Sequence, residues 1–212
     1  MSARTESAVF AAEKTVNQAQ SPAPAFLVVA AFAAVYLIWG STYLGIRVAI
    51  GSIPPLLMAG SRFLVAGAIL FAVMRLRREP APAPVHWRSA FITGVLLLLV
   101  GNGGVSLAER MVSTSLTALM IAATPLWMIV IEWLFHKTPR PKWTVFAGLV
   151  CGFGGVALLV LSRDVSGHKL VQPAGAGILM LASFCWAAGS IYSRRAPQPT
   201  NALLAVAMQM LA

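Results

Sequence analysis

The sequence predicts an all-α fold: a polytopic helical membrane protein with six complete transmembrane helices and the start of a seventh. Three observations carry this. First, 58 % of the 212 residues are hydrophobic and only 10 % charged, where a soluble domain carries roughly 25 % charge, and the mean hydropathy is +0.80. Second, the apolar residues recur in charge-free stretches, 15–46, 89–108, 111–131, 143–162 and 170–193, each long enough for the roughly 20 residues that a bilayer-crossing helix needs. Third, these stretches are continuous rather than alternating in units of about ten residues, which disfavours a β-barrel. The same composition excludes a soluble globule and a disordered chain.

Breaks at charges and prolines divide the chain into spans near 25–49, 55–74, 90–108, 113–134, 143–161 and 174–193, with a seventh from Ala202 to Ala212. Residues 1–24 hold Arg4, Glu6, Glu13 and Lys14 among Ser, Thr, Gln and Ala. They read as a disordered cytoplasmic tail, with the first span as its own insertion signal. Eleven residues after Asn201 are too few to cross a bilayer, so the chain is expected to be incomplete.

The connecting segments alternate in basic charge. One parity holds Arg75, Arg77, Arg78 and Arg88, then Lys137, Arg140 and Lys142, then Arg194 and Arg195, and the tail adds Arg4 and Lys14; the other holds only Arg110, Arg163 and Lys169. Eleven against three predicts a cytoplasmic N-terminus, because basic loops stay inside. The net charge of +10 is then an orientation and anionic-lipid signal, with membrane lipids as partners and no nucleic acid.

Some charge has to enter the membrane. The uncharged helix between Arg62 and Arg75 rises only about 18 Å against a hydrocarbon core of about 30 Å. The second span must therefore begin near Pro55 and carry Arg62 inside it. A buried arginine costs a few kcal/mol unless it faces protein or water and has a partner. Arg62 thus reads either as a cation on a solute pathway, tolerant of an anionic or zwitterionic group, or as a helix tie to a carboxylate such as Glu109. Arg47 and Glu132 follow long charge-free runs and read as interfacial, so Arg47, Glu109 and Glu132 are the candidate ion-pair partners.

Tyr36, Trp39, Tyr43 and Arg47 form an aromatic stripe ending in a cation on one helical face. Ser183, Trp186, Ser190 and Arg194 repeat the spacing, so Trp-x7-Arg occurs twice at an offset of 147, with Gly-Ser-x-Tyr recurring at 149. The two stripes lie on the first and sixth spans, an odd step of five along the chain, so the helices run in opposite directions and the relation is an inverted repeat, as secondary transporters use for alternating access. Gly101-Asn102-Gly103-Gly104 and Thr124-Pro125 weaken the third and fourth spans where polar backbone could line a cavity, or where helices approach closely, as Gly148-x3-Gly152 is expected to do. Trp39, Tyr43, Arg62, Asn102, Thr124, Trp186 and Ser190 are the candidate pathway residues, with packing or interhelical hydrogen bonding as their alternative role.

Other chemistries find little support. Cys151 and Cys185 sit inside apolar stretches without CxxC or Cys/His spacing, and His86, His136 and His168 fall in three different loops; no metal site or cofactor is indicated. No GxSxG, HExxH or GxxxxGK[ST] motif occurs, so neither an enzyme nor an ATP-driven pump is expected. A non-transporting membrane scaffold and an intramembrane enzyme remain as alternatives to a transporter of small solutes.

Tyr36-x-x-Trp39-Gly40-Ser41-Thr42-Tyr43, Pro54-Pro55-Leu56 with Arg62-Phe63, Gly101-Asn102-Gly103 with Ala108-Glu109, and Ala123-Thr124-Pro125-Leu126 together resemble the EamA family of the drug/metabolite transporter superfamily, above all its YedA-type permeases of the bacterial inner membrane. The resemblance covers 25–212. It implies ten transmembrane helices in two inverted five-helix repeats, a central cavity, and export of small metabolites or drugs. On that pattern 25–161 is the first EamA repeat and 174–212 the beginning of the second. The fragment alone is then expected to be inactive, unless two short chains replace the two repeats as a homodimer. Many relatives place Gly-Glu at the cytoplasmic end of the fourth span. Phe135-His136-Lys137 stands there in this chain, with Glu132 one turn earlier, and no paired role is carried over.

Overall fold

The computed structural model describes residues 24–135, 142–162 and 172–212. The tail to residue 23, the basic residues Lys137 and Arg140 with His136, and the segment carrying Arg163, His168 and Lys169 lie outside the described residues. Every regular element among the described residues is helical. Six helices are long and apolar enough to cross a membrane: α1 (Ala25–Ala49), α2 (Pro55–Leu76), α3 (Pro84–Ala108), α4 (Thr114–Phe135), α5 (Trp143–Leu161) and α6 (Pro173–Arg195); the shorter α7 is Ala202–Leu211. The polytopic all-α fold is as the composition dictates.

The chain divides into two compact units, one ending at Thr42 and the other running from Tyr43 to Ala212. The first holds the greater part of α1, with Phe32 and Tyr36 ring centroids 6.2 Å apart and the Ser41 and Thr42 hydroxyls donating to the Ile38 carbonyl at 3.0 and 2.8 Å. Trp39 belongs to this unit.

In the larger unit, proline sets the helix starts. Pro55, Pro84 and Pro173 open α2, α3 and α6, because a first-turn residue has no intrahelical acceptor for its N–H and the ring fixes φ at a helical value. This is why α3 starts at Pro84 and not near residue 90: Arg88, which reads as loop in the sequence, is carried on the helix's second turn. α2 ends in a Schellman motif, with Glu79 N–H donating to Met74 O at 3.2 Å and Arg78 N–H to Arg75 O at 3.0 Å. The left-handed position that glycine usually fills is taken by Arg78, at φ 61°.

Two helices are irregular inside. α3 widens into a π-helical segment, Val95–Asn102, before returning to α-geometry at Gly103. α4 breaks at Ala122–Ala123, between Thr114–Ile121 and Thr124–Phe135, for a reason the sequence contains. Pro125 has no N–H for the carbonyl four residues back, that of Ile121, and the Thr124 hydroxyl takes its place at 2.7 Å.

α6 is the most enclosed helix of this unit. Leu179 and Ala182 meet Val105, Ala108, Val112 and Met120 of the α3–α4 region, and Ala187 and Ile191 meet Ile131. α7 seats against α2 and α3 through Leu204 and Met208, with Met74 and Ala90. A Cβ on Gly67 would lie 2.7 Å from Met210 Cβ, and one on Gly94 2.6 Å from the Gln209 carbonyl oxygen. Of the expected Gly148-x3-Gly152 contact, only Gly152 is close, a Cβ there falling 2.5 Å from Leu126 Cδ1, whereas Gly148 has open space. Cys185 is buried in α6 and Cys151 exposed on α5, both as unpaired apolar-stretch thiols.

Candidate functional site

The polar side chains of the larger unit converge where α3, α4 and α6 meet. Thr124, at the α4 break, lies 3.0 Å from Ser183 Oγ, and Ser183 is fully buried. Because the single Thr124 hydroxyl proton is committed to Ile121 O, Ser183 donates and Thr124 accepts, a relay that fixes both rotors inside apolar surroundings. One turn along α6, Trp186 covers Gly101 of the π-helical segment, where a Cβ would fall 3.5 Å from the indole Cε3. A second small residue on the same face, Gly189, admits Leu96 and Leu97 at 2.9 and 3.0 Å from a built Cβ. Asn102 follows Gly101 half-buried, its amide donating to Leu97 O at 3.2 Å, five residues back, while Ser106 Oγ donates to the Asn102 carbonyl at 3.0 Å.

Thr124, Trp186 and Asn102 are therefore gathered around α6, and Ser190 is half-buried one turn beyond Trp186. Tyr43 is half-buried against the Val105–Leu179 cluster. Arg62 stands apart from the α6 junction: it is exposed on α2, with its guanidinium 4.6 Å from the Phe63 ring centroid. Phe63 and Gly103 line an apolar cavity of about 320 Å³ between α2, α3 and α7 that also takes in Leu56, Leu98 and Gln209.

The ion-pair candidates resolve into two arrangements. Glu132 is bound by Arg195 at 2.7 Å and approached by Arg194 at 3.9 Å. The Asn201 amide donates to Glu79 Oε1 at 2.7 Å, while its carbonyl oxygen caps α7 by accepting from Leu203 N–H at 2.9 Å. Alternating spans put the ends of α2, α4 and α6 on one side of a membrane, so both ties belong to the basic end. At the opposite end, Arg47 donates to the backbone carbonyl of Glu109, not to its carboxylate. The Glu109 side chain is 0 % exposed, and neither carboxylate oxygen has a hydrogen-bond partner. Glu109 opens the segment after α3, and its burial pushes the carboxyl up to about 7 against the opposing pull of the Arg47 guanidinium.

Sequence reasoning missed Ser183 as a partner and the Glu79–Asn201 tie. Ser183 does stand in the Trp186–Ser190–Arg194 spacing, and Asn before an apolar run is a capping signal; nothing local pairs either with a residue 59 or 122 positions away. The half-buried indole of Trp127, edge-on to Phe153 and Phe184 at 4.9 and 5.4 Å, is likewise a product of tertiary packing.

The model of the EamA-like transporter family matches residues 26–161. The chain is 39 % identical to the inner membrane transporter YedA of Escherichia coli (strain K12) over 84 % of its own length and 56 % of that protein's. It is 26 % identical to the transporter YoaV of Bacillus subtilis (strain 168), over 76 % of the chain and 54 % of the relative, and 27 % identical to Protein PagO of Salmonella typhimurium, over 62 % and 43 %. The chain thus spans about half the length of the curated relatives it matches. No solved structure matches it. With five of its six apolar helices falling in a family match over more than half of its residues, the chain belongs to the EamA-like transporter family.

Proposed function

We propose that this chain forms the first five-helix repeat and the opening of the second in a secondary transporter that exports small metabolites or drugs across the bacterial inner membrane by alternating access, with its N-terminus in the cytoplasm. The observation that carries the reading is the junction around α6: Ser183, Thr124 and Asn102 place hydrogen-bonding groups inside otherwise apolar helices, at the break of α4 and the π-helical segment of α3. Backbone irregularity at membrane depth is sustained only where protein or a water-filled path satisfies it, and π-bulges concentrate at functional sites. The orientation is supported by the eleven-to-three basic asymmetry.

In this mechanism α6 and α7 move against α2–α4, so the ties at the basic end must open. Both are single contacts: the Arg195 and Glu132 side chains are 46 % and 26 % exposed and such an ion pair contributes only about 0.2–1 kcal/mol, and the Asn201–Glu79 hydrogen bond about 1.5–3 kcal/mol. Arg62 supplies a cation on α2 for an anionic or zwitterionic group of the solute, and Trp39 and Tyr43 supply an aromatic face on α1.

The test is counterflow in proteoliposomes carrying both repeats of the transporter, across a panel of amino acids, organic anions and cationic dyes, with Arg62→Ala and Arg62→Lys beside the wild type. Flux of at least one solute is expected, abolished in Arg62→Ala at unchanged membrane abundance, with little rescue by lysine because the ammonium cannot offer the planar fork of a guanidinium. Arg62→Ala flux within about twofold of wild type would remove the arginine from the pathway. Absence of all flux and of solute-dependent thermal stabilisation, with a protein partner retained on purification, would replace the transporter by a scaffold.

A further inference from the structure

Glu109 is the one carboxylate among the described residues that is both fully enclosed and without a hydrogen-bond partner on either oxygen. An ionised carboxylate in that position forfeits its hydration for nothing, a cost of several kcal/mol, whereas a protonated one is neutral and forfeits far less. The nearest opposite charge, Arg47, is within reach but spends a guanidinium N–H on the Glu109 main-chain carbonyl. We infer that Glu109 is a proton-binding site, loaded from the membrane side opposite the basic loops, with Arg47 as the counter-charge that moves from the carbonyl to the carboxylate when the proton leaves. The step balances simply: an Oε accepts H+ from water on that side and returns it to water.

The surroundings select a proton over a metal ion. A metal cation needs several oxygen ligands, and among the described residues neither Oε1 nor Oε2 has a hydrogen-bond partner and no group of three His, Cys, Asp or Glu side chains could hold a metal. The residues beside Glu109 are held by apolar contacts: Gly175 of α6 is closed on Val112 and Met111, and Ala108 and Val112 join Met120, Ala176 and Leu179, with Tyr43 packed on the cluster. The first turns of α6 and the Thr114–Ile121 stretch of α4 carry no charge. Arg110, next in the chain, is exposed. Among the described residues Arg47 is thus the charge that faces Glu109 from another element, and burial outweighs its pull in raising the carboxyl to about 7. A site poised there changes occupancy within the physiological range.

In the export proposed above this site supplies the coupling ion, so its role in flux rests on that reading; proton binding itself does not. The experiment is reaction of the membrane-embedded protein with dicyclohexylcarbodiimide, which modifies protonated carboxyls in apolar surroundings, quantified at Glu109 by peptide mass spectrometry across pH. Adduct at Glu109 is expected to fall about tenfold between roughly pH 6 and pH 8, to vanish in Glu109→Gln, and to titrate at higher pH in Arg47→Gln but near the wild-type midpoint in Arg47→Lys, which keeps the charge. No adduct at Glu109 at the acid end, or a level unchanged across that range, overturns the inference without recourse to any variant. A midpoint unmoved in a folded Arg47→Gln protein overturns the assigned counter-charge. A titrating Glu109 in a protein that moves no solute keeps the proton site and removes the transporter, so the two failures are distinguishable.

Discussion

The seating of α7 offers the sharpest test of the packing described here, because two glycine-to-alanine changes on neighbouring helices should act in opposite directions. In Gly94→Ala the new methyl would stand 2.6 Å from the Gln209 carbonyl oxygen, with the Gln209 carbonyl carbon at 3.6 Å. Ordinary contact begins near 3.4 Å, so α3 and α7 must separate by about 0.8 Å. The obstacle is backbone and cannot rotate away, and separation on that side is resisted by α2, where Gly67 is already closed on Met210. Overpacking of this kind costs about 1–3 kcal/mol. In Gly60→Ala the methyl meets nothing within 4 Å, and the gain in helix propensity is up to about 1 kcal/mol. Gly94 is helical too and gains the same propensity, so the two variants should differ by the overpacking cost, about 1–3 kcal/mol, or roughly 2–12 °C of melting temperature at 2–4 °C per kcal/mol for a chain of this size. The assay is thermal unfolding of detergent-solubilised protein followed by size-exclusion of the folded fraction. Equal melting temperatures, or a more stable Gly94→Ala, would show that α7 does not rest on Gly94 and would refute the interlock of α2, α3 and α7.

Two further outcomes are expected. Arg78→Gly should raise the melting temperature by about 2–4 °C, because it relieves about 1 kcal/mol of left-handed backbone cost at the Schellman position while leaving the Met74–Glu79 hydrogen bond intact; a lower melting temperature would mean that the Arg78 side chain contributes more than its backbone costs. Single cysteines at Ala83 and Ser52, in a background lacking Cys151 and Cys185, should differ on intact cells, with an impermeant maleimide labelling Ser52→Cys and sparing Ala83→Cys; the reverse pattern would invert the proposed orientation.

The elements were legible in the sequence where charge, proline and length act locally. Arg47, Arg75 and Lys142 bracket helices that end or begin within two residues of their expected positions, and the forced inclusion of Arg62 in the second span is what α2 displays. The start of α3 was misplaced because Arg88 looks like a loop residue, whereas Pro84 four residues earlier has the stronger physical claim on a helix start. The π-helical segment was foreshadowed only as a Gly-Asn-Gly-Gly weakness, since which backbone register a weak helix adopts depends on the surface it meets, here Trp186 and Gly189 of α6. Long-range polar pairs were the least legible. Glu109 was a plausible partner for Arg62 by charge alone, yet Arg47 occupies its carbonyl and Arg62 stacks on Phe63. Choosing between two arginines requires knowing which helix ends meet.

The larger unit handles charge differently at its two ends, and the difference bears on how it could work. At the basic end the carboxylates are half-buried and paired: Glu132 with the exposed Arg195, and Glu79 with the Asn201 amide. The ion pair is worth about 1 kcal/mol or less and the amide–carboxylate hydrogen bond about 1.5–3 kcal/mol, together small against the apolar contacts that hold α6 to α3 and α4. At the other end a carboxyl is enclosed without a partner, where ionisation without compensation would cost several kcal/mol. The compensation within reach is Arg47, on the last turn of α1, turning from the Glu109 carbonyl to its carboxylate. That exchange would alter the contact between the end of α1 and the end of α3, where Ile46 and Ile50 already rest on Met58 of α2. A weak latch at one end and a proton-dependent contact at the other give a rocking transporter two separately controlled ends: the first opens at small thermal cost, and the second changes its preferred contact when a proton arrives or leaves.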